Sequence, residues 1–74
     1  MIKYDKLWET MKQKNITQYT LYTKYKISRS LLHRLRTNQS VTTHNLNLLC
    51  NILNCNIEDI CTFEKDENFE AEYK

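Results

Sequence analysis

Neither glycine nor proline occurs in the 74 residues of this chain, and that double absence constrains the fold more than any single motif does. Glycine is the default residue where the backbone must take a positive φ, and proline pre-sets the first corner of a turn. Tight hairpins, phosphate-cradling loops and rigid linkers lose their usual residues, and no P-loop or dinucleotide fingerprint can be written. The turns fall to asparagine, which tolerates the left-handed conformation better than other side chains. Asn15, Asn38, Asn54 and Asn56 stand at the breaks of the apolar pattern, so helices are expected to end there.

Between those breaks the apolar residues fall at helical spacing. Tyr4, Leu7, Trp8 and Met11 lie at i, i+3, i+4 and i+7 and predict an amphipathic helix over about residues 4–14. Lys12 and Lys14 sit in its last turn, where cations interact favourably with the helix dipole. Thr17 reads as the N-cap of a short helix over residues 18–25 that buries Leu21 with Tyr22 or Tyr25. Lys26 falls in the turn, Ile27 plugs the gap, and Ser28 caps a third helix over residues 29–37 that buries Leu32 and Leu35. Thr43 is expected to cap a fourth helix with Leu46, Leu49, Cys50 and Leu53 inward, its buried face widened by Leu48 and Ile52. Asn56 with Asp59 gives a capping-box-like start to a last short helix over residues 57–63, with Ile57, Ile60 and Cys61 inward.

No segment alternates with period two, so the expectation is an all-α domain of five helices. Residues 1–63 form that domain, and residues 64–74 are an acidic tail without a core pattern, frayed or associated with a dimer contact.

A chain this short makes one small domain, without room for a substrate cleft between two layers and a second domain. Catalysis is disfavoured on that ground, and no paired acid and base or activated nucleophile stands out. The charge is unevenly spread. Residues 1–44 carry nine Lys/Arg against Asp5 and Glu9, whereas residues 45–74 carry seven Asp/Glu against Lys65 and Lys74. A basic first part and an acidic end suit a polyanion-binding face and a region that stays off the polyanion. Cys50, Cys55 and Cys61 include no C-x-x-C pair and offer no zinc frame with His33 or His44, so no metal is expected. Their odd number points to a reducing compartment, with Cys50 and Cys61 as small hydrophobes in the core. No apolar run approaches a membrane span or a signal-peptide core, and a cytoplasmic location without membrane association is expected.

The segment from Ile16 to Arg36 carries the functional signal. With about 100° between successive helix residues, Leu31, Leu32 and Leu35 cluster on one side of the third helix. Arg29, Ser30, His33 and Thr37 point the opposite way, with Arg34 and Arg36 on the flanks. A major groove would meet that polar face. Arginine can donate two hydrogen bonds to the O6/N7 edge of guanine, serine can pair with several bases, and histidine can contact guanine or phosphate. The start of a recognition helix reaches deepest, which favours Arg29 and Ser30 as base readers. Gln18, first in the preceding helix, is placed to hold a phosphate, Tyr19 on the outward side of that helix can bond another, and Arg36 meets the backbone rather than bases. Leu31 suits the rim of the core, with contact to a thymine methyl as the other reading.

The run Ile16-Thr17-Gln18, Leu21, Ile27-Ser28-Arg29-Ser30, Leu32 and Leu35, followed by Thr43, Leu46, Leu49, Cys50, Leu53 and Asn56-Ile57-Glu58-Asp59-Ile60, resembles the Cro/CI-type (XRE family) helix-turn-helix regulators. The resemblance spans about residues 4–63 and implies a lambda-repressor-like five-helix bundle. By that resemblance Gln18 clamps a phosphate, Arg29, Ser30 and Arg34 read bases, and Thr37, Asn38 and Gln39 approach the backbone beyond the recognition helix. The chain departs from the family at four places. It has Asn15 and Lys26 where glycine is common, so Lys26 must accept a conformation better suited to glycine, Tyr22 stands where a small residue is common, and Leu31 is apolar where many members have a polar groove-facing residue.

The expected function is therefore sequence-specific double-stranded DNA binding by a small transcriptional regulator, in the direction of repression. It would act as a homodimer on half-sites about one helical turn apart, with no cofactor and no small-molecule ligand. The rival reading is a protein-binding helical module, such as an antitoxin or phage-encoded inhibitor, whose binding energy would sit on Phe69 and Tyr73.

Overall fold

Tyr4, Leu7 and Met11 are buried on one face of the first helix, α1 (Asp5–Gln13). A computed structural model describes residues 1–72 of the chain. Trp8 packs against the core from a half-buried position, while Thr10, on the inward side, is buried and donates from Oγ1 to the carbonyl oxygen of Asp59 at 2.7 Å. That bond satisfies a hydroxyl that would otherwise be costly to bury, and it ties α1 to the far end of the fold.

The second helix, α2 (Gln18–Thr23), and the third, α3 (Arg29–Arg36), start as the sequence predicts. Thr17 Oγ1 accepts from the Thr20 amide at 3.1 Å, and Ser28 Oγ accepts from the Leu31 amide at 3.0 Å. The cap of α4 (Thr43–Leu53) is shifted by one residue from the expectation. Thr42, extended at φ −77° and ψ 154°, takes the Asn45 amide at 3.1 Å, and Thr43 is the first helical residue. Two adjacent threonines offer the same capping chemistry, and the backbone conformation of the first decides between them.

Three of the four asparagines end helices as expected. Asn15, Asn38 and Asn54 have φ of 57°, 55° and 49°. After each, the next amide reaches back five residues: Ile16 to the Met11 carbonyl at 2.9 Å, Gln39 to Arg34 at 2.8 Å, and Cys55 to Cys50 at 3.1 Å. This is the closure that a left-handed residue makes possible at a helix C-terminus. Asn56 begins a helical turn rather than ending one, as its pairing with Asp59 predicts. It is extended at φ −92° and serves as an N-cap, its amide donating to Asp59 Oδ2 at 3.0 Å in a capping box.

The fourth left-handed residue is Lys26, at φ 59°, in the turn between α2 and α3. There the Ile27 amide bonds the Leu21 carbonyl at 3.0 Å and the Ile27 side chain is buried. A residue with a Cβ in this region costs about 1–2 kcal/mol, partly offset by the greater entropy glycine loses on folding. Lys26→Gly is expected to raise stability by roughly 0.5–1 kcal/mol, read as a higher urea midpoint with an unchanged slope.

The core joins Leu7, Leu21, Leu35, Leu49, Leu53 and Ile60, each 0–1% exposed, with Ile27, Leu31 and Leu32 around them. Leu31 therefore belongs to the core rim. Leu46, Leu48, Cys50, Ile52, Cys55 and Cys61 are partly buried against it. Burial pushes the Cys55 and Cys61 thiols up, which for Cys61 fits the expected role of a small hydrophobe rather than a reactive group.

The last expected helix is not formed. Residues 57–59 make one 3-10 turn (Ile57–Asp59), in which Ile57 is 47% exposed rather than inward. Ile60 is fully buried, and the chain then extends as β2 (Thr62–Phe63), antiparallel to β1 (Ile2–Lys3) with Ile2 opposite Phe63 and Lys3 opposite Thr62. Thr and Phe suit an extended backbone better than a helix, and two-residue strands are too short to show an alternating pattern. The fold is helical with this small ribbon added.

Beyond the ribbon, Lys3 Nζ meets Glu64 Oε2 at 2.7 Å and the Met1 amine meets Asp66 at 3.0 Å. A short helix, α5 (Phe69–Glu72), follows. Tyr73, named for the rival protein-binding surface, lies outside the described residues. No helix among those residues is long and apolar enough to cross a membrane.

Candidate nucleic-acid interface

One face of α3 is sunk into the core and the other is open. Leu31, Leu32 and Leu35 are buried at 8%, 5% and 0%, while Arg29, Ser30, His33, Arg34 and Arg36 are all exposed. The split follows from residue spacing alone, because a rotation of about 100° per residue sends positions 31, 32 and 35 to one side and 29, 30 and 33 to the other. The four expected base readers, Arg29, Ser30, His33 and Arg34, therefore share one solvent-facing surface.

The expected phosphate-binding residues fall into three groups. Gln18 and Arg36 are brought together: an Arg36 terminal nitrogen donates to Gln18 Oε1 at 2.6 Å, joining the first residue of α2 to the last of α3. Arginine has no acceptor, so the carboxamide must turn its oxygen inward to Arg36 and its NH2 outward. Arg36 keeps its other N–H groups beside that NH2. The pair presents two sets of donors side by side, an arrangement suited to an anionic oxygen.

Tyr19 stands apart on α2, 74% exposed. The carbonyl oxygen of Tyr19 accepts from Thr23 Oγ1 at 2.9 Å, a bond within the helix that leaves the phenol to solvent.

Thr37, Asn38 and Gln39 form a bonded loop after α3. Thr37 Oγ1 donates to the His33 carbonyl at 2.8 Å and accepts from Gln39 Nε2 at 2.8 Å. Asn38 Oδ1 accepts the Tyr4 amide at 3.0 Å, and the Tyr4 hydroxyl donates to the Gln39 carbonyl at 3.0 Å. Burial pushes the Tyr4 phenol up, so it remains a proton donor across the neutral range. The hydroxyl hydrogen of Thr37 and the oxygen of Asn38 are thus used within the protein, and what this loop can offer an anion is chiefly the Asn38 NH2 group and the second N–H of Gln39.

Sequence reasoning missed two pairings. The Gln18 to Arg36 bond links residues 18 positions apart, and nothing in either helix's own pattern signals it. The other is Arg29 over the ring of Tyr22, with Cζ 4.8 Å from the ring centroid. Tyr22 was expected as one option for burying the α2 face, but it is 41% exposed, and the half-buried Tyr25 packs against the core instead. The turn at Lys26 brings the start of α3 back beside α2, which is why a ring seven residues upstream meets the arginine. A neighbouring cation has its own ring, Lys24 Nζ lying 5.3 Å from the centroid of Tyr25.

Among the described residues no cluster of His, Cys, Asp or Glu could hold a metal ion. The chemistry offered by this surface is hydrogen-bond donation and positive charge.

Comparison with known proteins bears on the family and the fold. The crystal structure of the transcriptional regulator VanUg superposes with a TM-score of 0.79 at 26% sequence identity, covering 88% of this chain and 87% of that one. No curated protein sequence matches. The family model for the Cro/C1-type helix-turn-helix DNA-binding domain matches residues 6–66, which include α1 to α4 and the ribbon's second strand. The chain belongs to the Cro/C1-type helix-turn-helix DNA-binding family.

Proposed function

We propose that this protein is a sequence-specific double-stranded DNA-binding transcriptional regulator that represses by laying α3 in the major groove. The observation that carries the proposal is the open face of α3, where Arg29, Ser30, His33 and Arg34 are exposed opposite three buried leucines. In this reading Arg29 and Ser30, at the start of α3, read base edges, with Arg34 and His33 further along the same face. Gln18 and Arg36 grip one phosphate together, while Tyr19 and the loop of Thr37, Asn38 and Gln39 flank it. These contacts set register on the duplex and leave sequence choice to α3.

The regulatory role draws on the likeness to the transcriptional regulator VanUg. Repression is the direction this surface favours, since a compact reading head acts by occupying its site. Two copies acting together would read two half-sites about one helical turn, roughly 34–36 Å, apart. The exposed Phe63 and Phe69 give the homodimer an apolar contact outside the reading face, in the part of the chain with negative net charge. Residues 1–63 would then be the reading domain and residues 64–74 its accessory tail, working in the cytoplasm where the DNA is.

The test is the affinity for mixed-sequence and selected duplexes as a function of salt. The logarithm of the association constant should fall linearly with the logarithm of salt concentration, with a slope near −0.9 for each phosphate neutralised. Arg36→Ala should weaken binding to all sequences alike and make that slope shallower by about one unit. Absent or salt-independent binding would sink the proposal and favour the protein-binding module, whose partner would be held by Phe69 and Tyr73 instead.

A further inference from the structure

We infer that Tyr22 is the positioning residue for Arg29, holding its guanidinium on the reading face before DNA arrives; the inference rests on the DNA-binding function proposed above. Arg29 is the first residue of α3, and a long side chain in the first turn of a helix has many rotamers open to solvent. Its guanidinium carbon instead sits 4.8 Å from the centroid of the Tyr22 ring. A cation over an aromatic face is held by the ring's quadrupole, and arginine uses the flat side of its guanidinium for such contacts.

The geometry leaves the reading chemistry intact. All five N–H donors of arginine lie in the guanidinium plane, so a guanidinium lying flat on the ring would keep free the edge that meets O6 and N7 of guanine. Among the described residues no hydrogen bond or ion pair engages the Arg29 side chain, and the ring is its one described partner. The backbone under the ring is anchored. Leu21, its neighbour on α2, is fully buried, and the left-handed Lys26 sets the path by which α3 returns alongside α2. Lys24 is drawn to Tyr25 rather than to Tyr22, so the ring is left to the arginine.

Pre-ordering a flexible reader lowers the entropy lost when it docks. A misplaced base pair gains nothing from this, because the bidentate bond it would need is not there. Tyr22 should therefore act on the ratio of specific to non-specific affinity, through its ring rather than its hydroxyl.

The experiment compares wild type, Tyr22→Phe, Tyr22→Leu and Arg29→Ala, with Tyr22→Leu also made in the Arg29→Ala background. NMR of the full chain without DNA should show the Arg29 side-chain protons shifted upfield by the ring in wild type and Tyr22→Phe, and at ordinary arginine positions in Tyr22→Leu. On a duplex selected by the wild-type chain from a random pool, Tyr22→Leu should lower the ratio of specific to mixed-sequence affinity by about two- to fivefold. Tyr22→Phe should keep the wild-type ratio, and in the Arg29→Ala background Tyr22→Leu should change nothing further. A Tyr22→Leu ratio equal to or above wild type, or an equal loss when Arg29 is already absent, overturns the inference. If wild type discriminates between sequences and Tyr22→Leu does so equally, only this inference fails; if wild type prefers no sequence, the base-reading proposal fails with it.

Discussion

Arg29→Ala should cost the protein most of its preference at one base pair while leaving its grip on arbitrary DNA nearly intact. A bidentate arginine to guanine contact gives about 1–3 kcal/mol of discrimination, so affinity for the selected duplex should fall by roughly 5- to 150-fold. Mixed-sequence duplexes should be bound almost as well as before, because the proposed grip on the backbone uses a different pair of side chains, Arg36 and Gln18. Competition titrations at fixed salt, with every single-base variant of the selected site, read the effect directly. The loss should concentrate at one position, where the variant protein accepts all four bases. A uniform loss at all positions would place Arg29 on the phosphates and move base reading to Ser30, His33 and Arg34. Arg29 is exposed at the first turn of α3, with the ring of Tyr22 as its described partner, so the substitution leaves the core untouched.

Leu35→Ala should have the larger effect on the molecule as a whole. Leu35 is fully buried and anchors the helix that carries the reading face. Truncating a buried leucine costs about 2–5 kcal/mol through lost burial and the cavity left behind. A domain of this size has a total stability of roughly 3–5 kcal/mol from a single core. The variant should therefore be largely unfolded near 37 °C and lose specific and non-specific DNA binding together. Urea denaturation followed by Trp8 fluorescence measures it. Leu31→Ala provides the contrast, since Leu31 lies at the core rim with 8% exposure and its cavity can be relieved by solvent. The expected order is wild type, then Leu31→Ala, then Leu35→Ala; the reverse order would mean that the apolar face of α3 is turned from the one described.

The helices and their inward faces were legible because they depend on short-range periodicity. Leu7, Met11, Leu21, Leu32, Leu35, Leu49 and Leu53 are all buried as their spacing predicts, and Thr17 and Ser28 cap as their hydroxyls predict. The resemblance added the left-handed turn at Lys26, which the backbone shows. Errors arose where local chemistry offered two equal choices or where a distant partner decided. Thr42 and Thr43 are interchangeable caps until the loop before them is placed. Asn56 and Asp59 begin a helical turn as expected, but that turn stops at Asp59 and leaves Ile57 exposed. Thr62 and Phe63, which suit an extended backbone, pair with Ile2 and Lys3 some 60 residues away, a partner that no local pattern announces.

The candidate site was legible to a different depth. Which residues face solvent on α3 follows from helix geometry, and the structure places Arg29, Ser30, His33 and Arg34 there. What these residues touch does not follow. Arg29 over Tyr22, and Arg36 on Gln18, are contacts between two helices whose relative placement is set by the turn at Lys26 and by the buried Ile27. A pattern within one helix carries no information about its neighbour's side chains. Thr37 and Asn38 illustrate the same limit, since both were expected to face the DNA backbone and both also serve the protein's own hydrogen bonding.

Asn38 also sets it apart from the other left-handed asparagines. Its side chain holds the Tyr4 amide while the next residue's carbonyl holds the Tyr4 hydroxyl, so the end of α3 and the segment leading from the terminal ribbon into α1 are latched by one residue from both sides. Local opening in proteins runs in roughly contiguous cooperative units. Because Tyr4 joins the end of α3 to the segment that follows the ribbon, a fluctuation that frees Tyr4 is expected to slacken both, and the stiffness of α3 to depend in part on residues remote from its open face.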